Sequence, residues 1–321
     1  MRAVITDAEI DDLDLEFRIL EEAGFTVTRA QAKTPEQVIA ACAGCDAALV
    51  QYASFTEEVF DALPDLKVIS RFGIGVDSID LDAARRRGVW VSNVPVYGTD
   101  EVPTHTISML LALARHLPFH DRAIRSGTWH FANTGEFETL SKLTLGVIGM
   151  GRLGQQVARL AMPMFGTVVG YDPLLPAEHW PSGVTRLTLE ELVMASHAVT
   201  LHLPATEATR NMINSGLLSK VRPGGIYLVN TARGGLVDLD DLLRALDEGQ
   251  VKGVALDVLP EEPPRMDHPI LHHPRALVTP HTAWYSRSAM EDLRTKYARN
   301  VALWATSGEA PNAVVRGQAQ R

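Results

Sequence analysis

No apolar run in this chain approaches the roughly 20 residues needed to span a bilayer. The longest candidate, Ile107 to Ala114, is far too short. The stretch Met1 to Ile10 has one arginine followed by carboxylates, which is not the pattern of a secretion signal. These absences predict a cytoplasmic protein with no membrane partner. Positive charge is also scarce: 30 Lys and Arg stand against 39 Asp and Glu, a net charge of −9. That balance excludes a general nucleic-acid coat protein and a polybasic membrane binder. With only two cysteines in 321 residues there is no disulfide scaffold. Glycine (24) and proline (18) are near average usage, which excludes collagen-like and disordered classes. What remains is a chain 46% apolar and long enough for two domains, each with its own core.

The two cysteines, Cys42 and Cys45, form a C-x-x-C. A redox pair belongs at a helix N-terminus, where the positive dipole end favours the thiolate. Here the pair follows a helical stretch, Pro35 to Ala41, that Gly44 stops. The dipole has the wrong sign, and no second pair completes a zinc site. Both read as ordinary helix-end residues, and no metal site is expected.

Short β-rich runs alternate with helical patterns along the whole chain. The first series is Ala3–Thr6, Thr26–Arg29, Ala47–Gln51, Lys67–Ser70 and Val89–Ser92. A second begins later, at Thr144–Gly149, Val168–Asp172, Ala198–Leu201, Ile226–Asn230, Val251–Leu256 and Ala276–Thr279. Such alternation predicts α/β architecture: two doubly wound parallel sheets covered on both faces, with a cleft between the domains. The boundary falls in the stretch from Asn93 to Pro103, before an apolar helix over Thr104 to Leu117. Residues 1–97 form one domain and 98–285 the other. Residues 286–321 return to the first through a helix over Arg287 to Ser307, whose apolar face is Met290, Leu293, Tyr297, Val301 and Trp304. There is no internal repeat and no low-complexity segment.

The strand from Thr144 runs into Gly149-Met-Gly151-Arg152-Leu153-Gly154, a G-x-G-x-x-G that opens a helical run. Asp172 stands eighteen residues past Gly154, at the end of the next strand. In that context the motif is a dinucleotide fingerprint. Gly149 permits the tight turn, Gly151 lets a pyrophosphate approach the helix terminus, and Gly154 lets helix and strand pack. Asp172 can accept from an adenosine ribose and would repel a 2′-phosphate. With Pro173 and Leu174 next and no arginine close by, the reading is NAD over NADP.

Three more segments follow strands of the second series: Thr231-Ala232-Arg233, Asp257 to Glu262, and Pro280-His281 to Trp284. Ligands bind at the carboxyl ends of parallel strands, so an arginine, carboxylates and a histidine reach the edge that carries the glycine loop.

With these segments, and with Gly73-Ile74-Gly75-Val-Asp77, His202-Leu-Pro204 and Thr209, the chain resembles the D-isomer-specific 2-hydroxyacid dehydrogenases. Within them it is similar to the phosphoglycerate dehydrogenase and C-terminal-binding-protein subgroup. The resemblance implies a flavodoxin-like substrate domain, a Rossmann NAD-binding domain and a homodimer, for which an exposed apolar helix at Thr104–Leu117 would be the physical basis. It implies that Arg233 holds the carboxylate and carbonyl of a 2-oxo acid, that His281 is the acid/base, and that Glu262 rather than Glu261 orients the imidazole. Cofactor contacts would come from Gly149, Gly151, Arg152, Leu153, Gly154, Asp172, Pro204, Thr209, Thr231, Ala232 and Asp257, the last to the nicotinamide carboxamide. Substrate contacts would come from Tyr52, Ile74, Gly75, Arg233, His281 and Trp284, with Phe72 bordering the pocket. Trp129 is a further candidate for substrate selection from a partner subunit.

The chain departs from the family where Thr104 takes the place of an acidic residue before His105. Only 40 residues follow His281, so serine-pathway enzymes with a regulatory domain are a poorer match. His116 and His120 read as a helix end broken by Pro118, and His268, His272 and His273 as a solvated loop. The expected activity is hydride exchange between nicotinamide and a small 2-hydroxy or 2-oxo acid, such as glyoxylate, hydroxypyruvate or a phosphoglycerate-like acid. The alternative is an NAD(H)-sensing binding module with little turnover.

Overall fold

The computed structural model describes residues 1–318. Its strands are β1 (Arg2–Ile5), β2 (Thr26–Arg29), β3 (Ala47–Val50), β4 (Val68–Arg71), β5 (Trp90–Ser92), β6 (Thr144–Ile148), β7 (Thr167–Tyr171), β8 (Thr185–Arg186), β9 (Ala198–Leu201), β10 (Ile226–Asn230), β11 (Val251–Leu256), β12 (Ala276–Val278) and β13 (Ala313–Val315). They fall into two compact units: Met1–Tyr97 with the segment from Ser286 onward, and Gly98–Tyr285.

The first unit holds a six-stranded sheet in the order β13-β5-β4-β3-β1-β2. From β5 to β2 all pairings are parallel, the flavodoxin-like order. The β3 run Ala-Ala-Leu-Val is buried at every residue, as a parallel strand covered on both faces must be. An all-parallel sheet was the expectation, but β13 runs antiparallel to β5 as an edge strand.

The helix Arg287–Ser307 is capped by Ser286, whose hydroxyl accepts from the Ala289 N–H, and it ends at Gly308 with φ 77°. It buries Leu293, Tyr297, Val301 and Trp304 against the first unit, while Met290 is only half-buried. Arg294 grips the buried carboxylate of Glu16 with two hydrogen bonds of 2.7 Å, joining this helix to Asp14–Glu22. Removing one partner would strand a buried charge, at about 3–5 kcal/mol.

The second unit holds a seven-stranded sheet in the order β12-β11-β10-β9-β6-β7-β8, parallel throughout. This is the Rossmann order, and its direction reverses between β6 and β9, the switch point where nucleotides bind. The apolar helix before it spans Glu101–Ala114, not Thr104 to Leu117. Pro103 lies in its first turn, where a missing N–H breaks no helical bond. Ile107, Leu110 and Leu113 are buried in one core with Val147, Tyr227 and Val229. This helix therefore offers no exposed apolar face for a dimer. The exposed apolar side chains come just after it: Leu117, Ile124, Trp129 and Phe131, the last two 88% and 86% exposed.

Candidate active site

The glycine loop is built by close approaches. Gly149 has φ +94°, and a Cβ there would lie 2.6 Å from the His202 carbonyl. A Cβ on Gly154 would lie 1.9 Å from the Gly149 oxygen, so helix and strand touch. A Cβ on Gly151 would meet nothing within 4 Å. The open side of Gly151 faces the first turn of the helix Arg152–Ala161, which has no side-chain cap, so the amide end there can take an anion. Asp172 follows β7 and accepts from the N–H groups of Met150, Leu174 and Leu175 at 2.9, 2.9 and 3.1 Å. A carboxylate offers about four acceptor positions, so about one remains for a ribose hydroxyl. One expectation fails here. β8 brings Arg186 beside Asp172, where it donates to the Asp172 carbonyl at 2.9 Å and stacks on Trp180. Past β9, the Thr209 hydroxyl closes a turn by donating to the Pro204 carbonyl at 2.7 Å.

The other strand ends carry polar side chains. At the end of β10, Asn230 clamps the next residues: its Oδ1 accepts from the Ala232 N–H at 3.0 Å and its Nδ2 donates to the Arg233 carbonyl at 2.8 Å. Thr231 is buried, its hydroxyl 2.8 Å from that of Thr106. Gly234 packs against the backbone of Leu259, so the loop after β10 runs against the loop after β11. In that second loop the Leu259 N–H donates to Glu262 Oε1 at 2.9 Å. Glu262 Oε2 lies 2.6 Å from His281 Nδ1.

Burial alone would raise the Glu262 carboxyl. The hydrogen bond and charge of His281, the Leu259 N–H and the nearby charge of Arg233 outweigh it and hold Glu262 below the ordinary glutamate value. The charge of Arg233 therefore acts on the same carboxylate that holds His281. The His281 and Glu262 side chains remain 41% and 33% exposed, so a small molecule can reach them. His281 has φ 50°, a left-handed conformation that is sparsely populated for a non-glycine residue and recurs at functional sites.

The turn that carries His281 is held by Asp257. This buried carboxylate accepts from the N–H groups of Thr282 and Ala283, both at 2.9 Å, and from the Thr279 hydroxyl. The Asp257 carbonyl takes the His281 N–H at 2.8 Å. His105 Nε2 lies 3.3 Å from the Thr279 hydroxyl, which links the helix Glu101–Ala114 to the same turn. The sequence reading passed over this organising role of Asp257.

The family model described as the NAD binding domain of the D-isomer specific 2-hydroxyacid dehydrogenases matches residues 107–283. The chain belongs to the D-isomer specific 2-hydroxyacid dehydrogenase family. It is 37% identical over 282 residues to a D-3-phosphoglycerate dehydrogenase of Mycobacterium tuberculosis, covering 87% of this chain but 53% of that protein. The chain thus spans about half the length of such relatives. The TT0316 protein of Thermus thermophilus superposes with a TM-score of 0.87 at 33% identity, over 98% of this chain and 100% of the other. A D-lactate dehydrogenase from Aquifex aeolicus, solved with NAD and lactic acid, gives 0.86 at 28% identity, again over 98% and 100%.

The glycine loop, the uncapped helix end and Asp172 thus belong to a 2-hydroxyacid dehydrogenase NAD domain, and their shape fits a dinucleotide. The first unit carries its own candidates. Tyr52 is exposed after β3, and its hydroxyl lies 3.3 Å from Glu9 Oε2. Ile74 and Gly75 follow β4, with the Ile74 carbonyl accepting from Asn93 Nδ2 at 2.7 Å. Phe72 is buried edge-on to Tyr297. The sequence reading missed two residues on this edge. Buried Asp7 accepts from the N–H groups of Gln51, Tyr52 and Ala53. The Arg71 guanidinium lies across Gly73, where a Cβ would meet its Nη1 at 1.8 Å. In the second unit the Trp284 backbone passes 3.1–3.2 Å from the Cβ position of Gly98.

The remaining candidates have other duties. Cys42 ends its helix, and burial followed by the charge of Cys45 pushes its thiol up to about 12. Pro118 opens the helix Leu117–Arg125 rather than breaking one. His116 and His120 both approach the Thr134 hydroxyl, at 3.3 and 3.1 Å. His268 caps the helix Pro269–His272 and His273 is largely covered beside Asp247, so the segment is a short helix rather than a loop, with His272 alone of the three exposed. Among the described residues no group of three or more His, Cys, Asp or Glu is placed to hold a metal, and no helix is long and apolar enough to cross a membrane.

Proposed function

We propose that the chain is an NAD-dependent D-2-hydroxyacid dehydrogenase acting on a small 2-hydroxy or 2-oxo acid. The observation that carries this reading is the 2.6 Å contact of His281 Nδ1 with Glu262 Oε2, beside the charge of Arg233. NAD bound at the glycine loop supplies the hydride acceptor, and NADH the donor. The planar guanidinium of Arg233 takes the substrate carboxylate and the carbonyl oxygen, two acceptors that match its fork. With Nδ1 committed to Glu262, His281 Nε2 is the atom that exchanges a proton with the substrate oxygen. In reduction it gives that proton as the carbonyl becomes a hydroxyl, and in oxidation it takes it back. Glu262 fixes the tautomer and the orientation of the ring.

Arg152, Leu153, Pro204, Thr209, Thr231, Ala232 and Asp257 are the proposed cofactor contacts alongside the three glycines and Asp172. Tyr52, Ile74, Gly75 and Trp284 are the proposed substrate contacts. The same reading has the enzyme working as a cytoplasmic homodimer. Exposed Trp129 and Phe131 favour a covered surface, and two unbridged cysteines suit a reducing compartment. The test is NADH oxidation with glyoxylate, hydroxypyruvate, its phosphorylated form, pyruvate and longer 2-oxo acids. Turnover with at least one acid, giving the D-hydroxy product, is expected. NADH binding without turnover on any acid would overturn the reading in favour of a sensing module.

A further inference from the structure

We infer that the second unit carries an anion-binding cavity at the N-terminal edge of its sheet, suited to a small oxyanion with an aromatic body. His197, Arg222 and Lys252 lie at or just before the starts of β9, β10 and β11. The glycine loop, Arg233 and His281 follow the opposite ends of strands in this sheet, so the cavity is separate from the catalytic edge. It has a volume of about 870 Å³, and Phe137 and Tyr227 line it together with the three basic residues.

Among the described residues neither the Arg222 nor the Lys252 side chain has a hydrogen bond or an ion pair; the Lys252 ammonium only approaches the Tyr227 ring, 6.0 Å from its centroid. The two cations repel each other. Lys252 is held below the ordinary lysine value by burial and then by Arg222. His197 is lowered by burial and then by both cations. Its Nδ1 accepts the Thr144 N–H at 3.1 Å, so the neutral ring carries its proton on Nε2, a donor for a ligand. His120 also lines the cavity. Glu136 and Glu138 stand on its wall, but both are exposed and Glu138 pairs with Lys142 at 3.7 Å. An oxyanion between Arg222 and Lys252 supplies the missing counter-charge, and the aromatic wall takes its ring.

The probe is phenyl phosphate, titrated into the full chain while the His197 and His281 ring signals are followed separately by NMR. We expect saturable movement of the His197 signal that weakens with added salt. In R222Q/K252Q the affinity should fall by at least about tenfold, with thermal midpoint and NADH binding unchanged. Should the double variant fail to fold, K252Q alone is expected to weaken the same response. A His197 signal that stays still while only His281 responds, or an affinity unchanged in both variants, would overturn the inference.

Discussion

His281 Nδ1 and Glu262 Oε2 are 2.6 Å apart, and the second Glu262 oxygen is held by the Leu259 N–H. The carboxylate is thus fixed in place before it orients the imidazole. In reduction the ring gives a proton to the substrate oxygen, and Glu262 sets the tautomer and orientation that present Nε2. Glu262→Gln keeps a hydrogen-bond acceptor but removes the charge. The reductase kcat should therefore fall by about tenfold or more, with NADH affinity retained. Steady-state kinetics of the two proteins at saturating NADH check this. The pair also bears on stability. Glu262 is held below its ordinary value, so the pair adds stability above the unfolded carboxyl pKa and loses it as pH falls through the acid range.

The glycines separate binding from folding. Gly151→Val adds a side chain into open space at φ −69°, so the fold should survive while NADH affinity drops by about tenfold or more. Gly154→Ala places a methyl 1.9 Å from the Gly149 oxygen and should destabilise the second unit by about 2–4 kcal/mol. Thermal melts with and without NADH distinguish the two: the first variant loses the ligand-induced shift, and the second melts early in both conditions.

These contrasts show which parts of the site were legible in the sequence. The loops that carry Arg233, Glu262 and His281 could be placed because each follows an apolar strand-like run that gives way to polar residues, while the choice of Glu262 over Glu261 and the role of each residue came from the resemblance to the family. Asp7, Asp172 and Asp257 share a further device: each stands one or two residues past a strand and accepts backbone N–H groups of the loop beyond a neighbouring strand. That pairing depends on which strands are neighbours, so only the glycine-loop case, with its known fingerprint, announced itself. Arg186 was invisible for the same reason, because β8 is two residues long. β13 has three residues, too few to show an alternating pattern after the turn at Pro311 and Asn312. The helix Glu101–Ala114 showed its apolar periodicity plainly, but periodicity does not say whether the protomer's own sheet or a partner covers that face.

Arg186 alters the expectation for cofactor choice. The proposed function has Asp172 repel a 2′-phosphate by charge, yet a guanidinium stands next to it, stacked on Trp180. Asp172→Asn should raise the ratio of kcat/KM for NADPH over NADH by about tenfold or more. Adding Arg186→Gln should cancel most of that gain. Steady-state kinetics with both cofactors on the single and double variants measure the coupling directly. A gain that persists without Arg186 would assign it to lost repulsion alone.

The central claim is that Arg233, Glu262 and His281 carry hydride-coupled proton transfer on a 2-oxo acid, and it is tested most directly by NADH oxidation in the wild type and in His281→Ala, each saturated with NADH and the best acid of the panel. The account predicts turnover by the wild type and a loss of about 10²–10⁴-fold in kcat for the variant, the range of a removed general acid, with NADH affinity retained. Equal turnover in the two proteins, or none in the wild type with any acid, would contradict it.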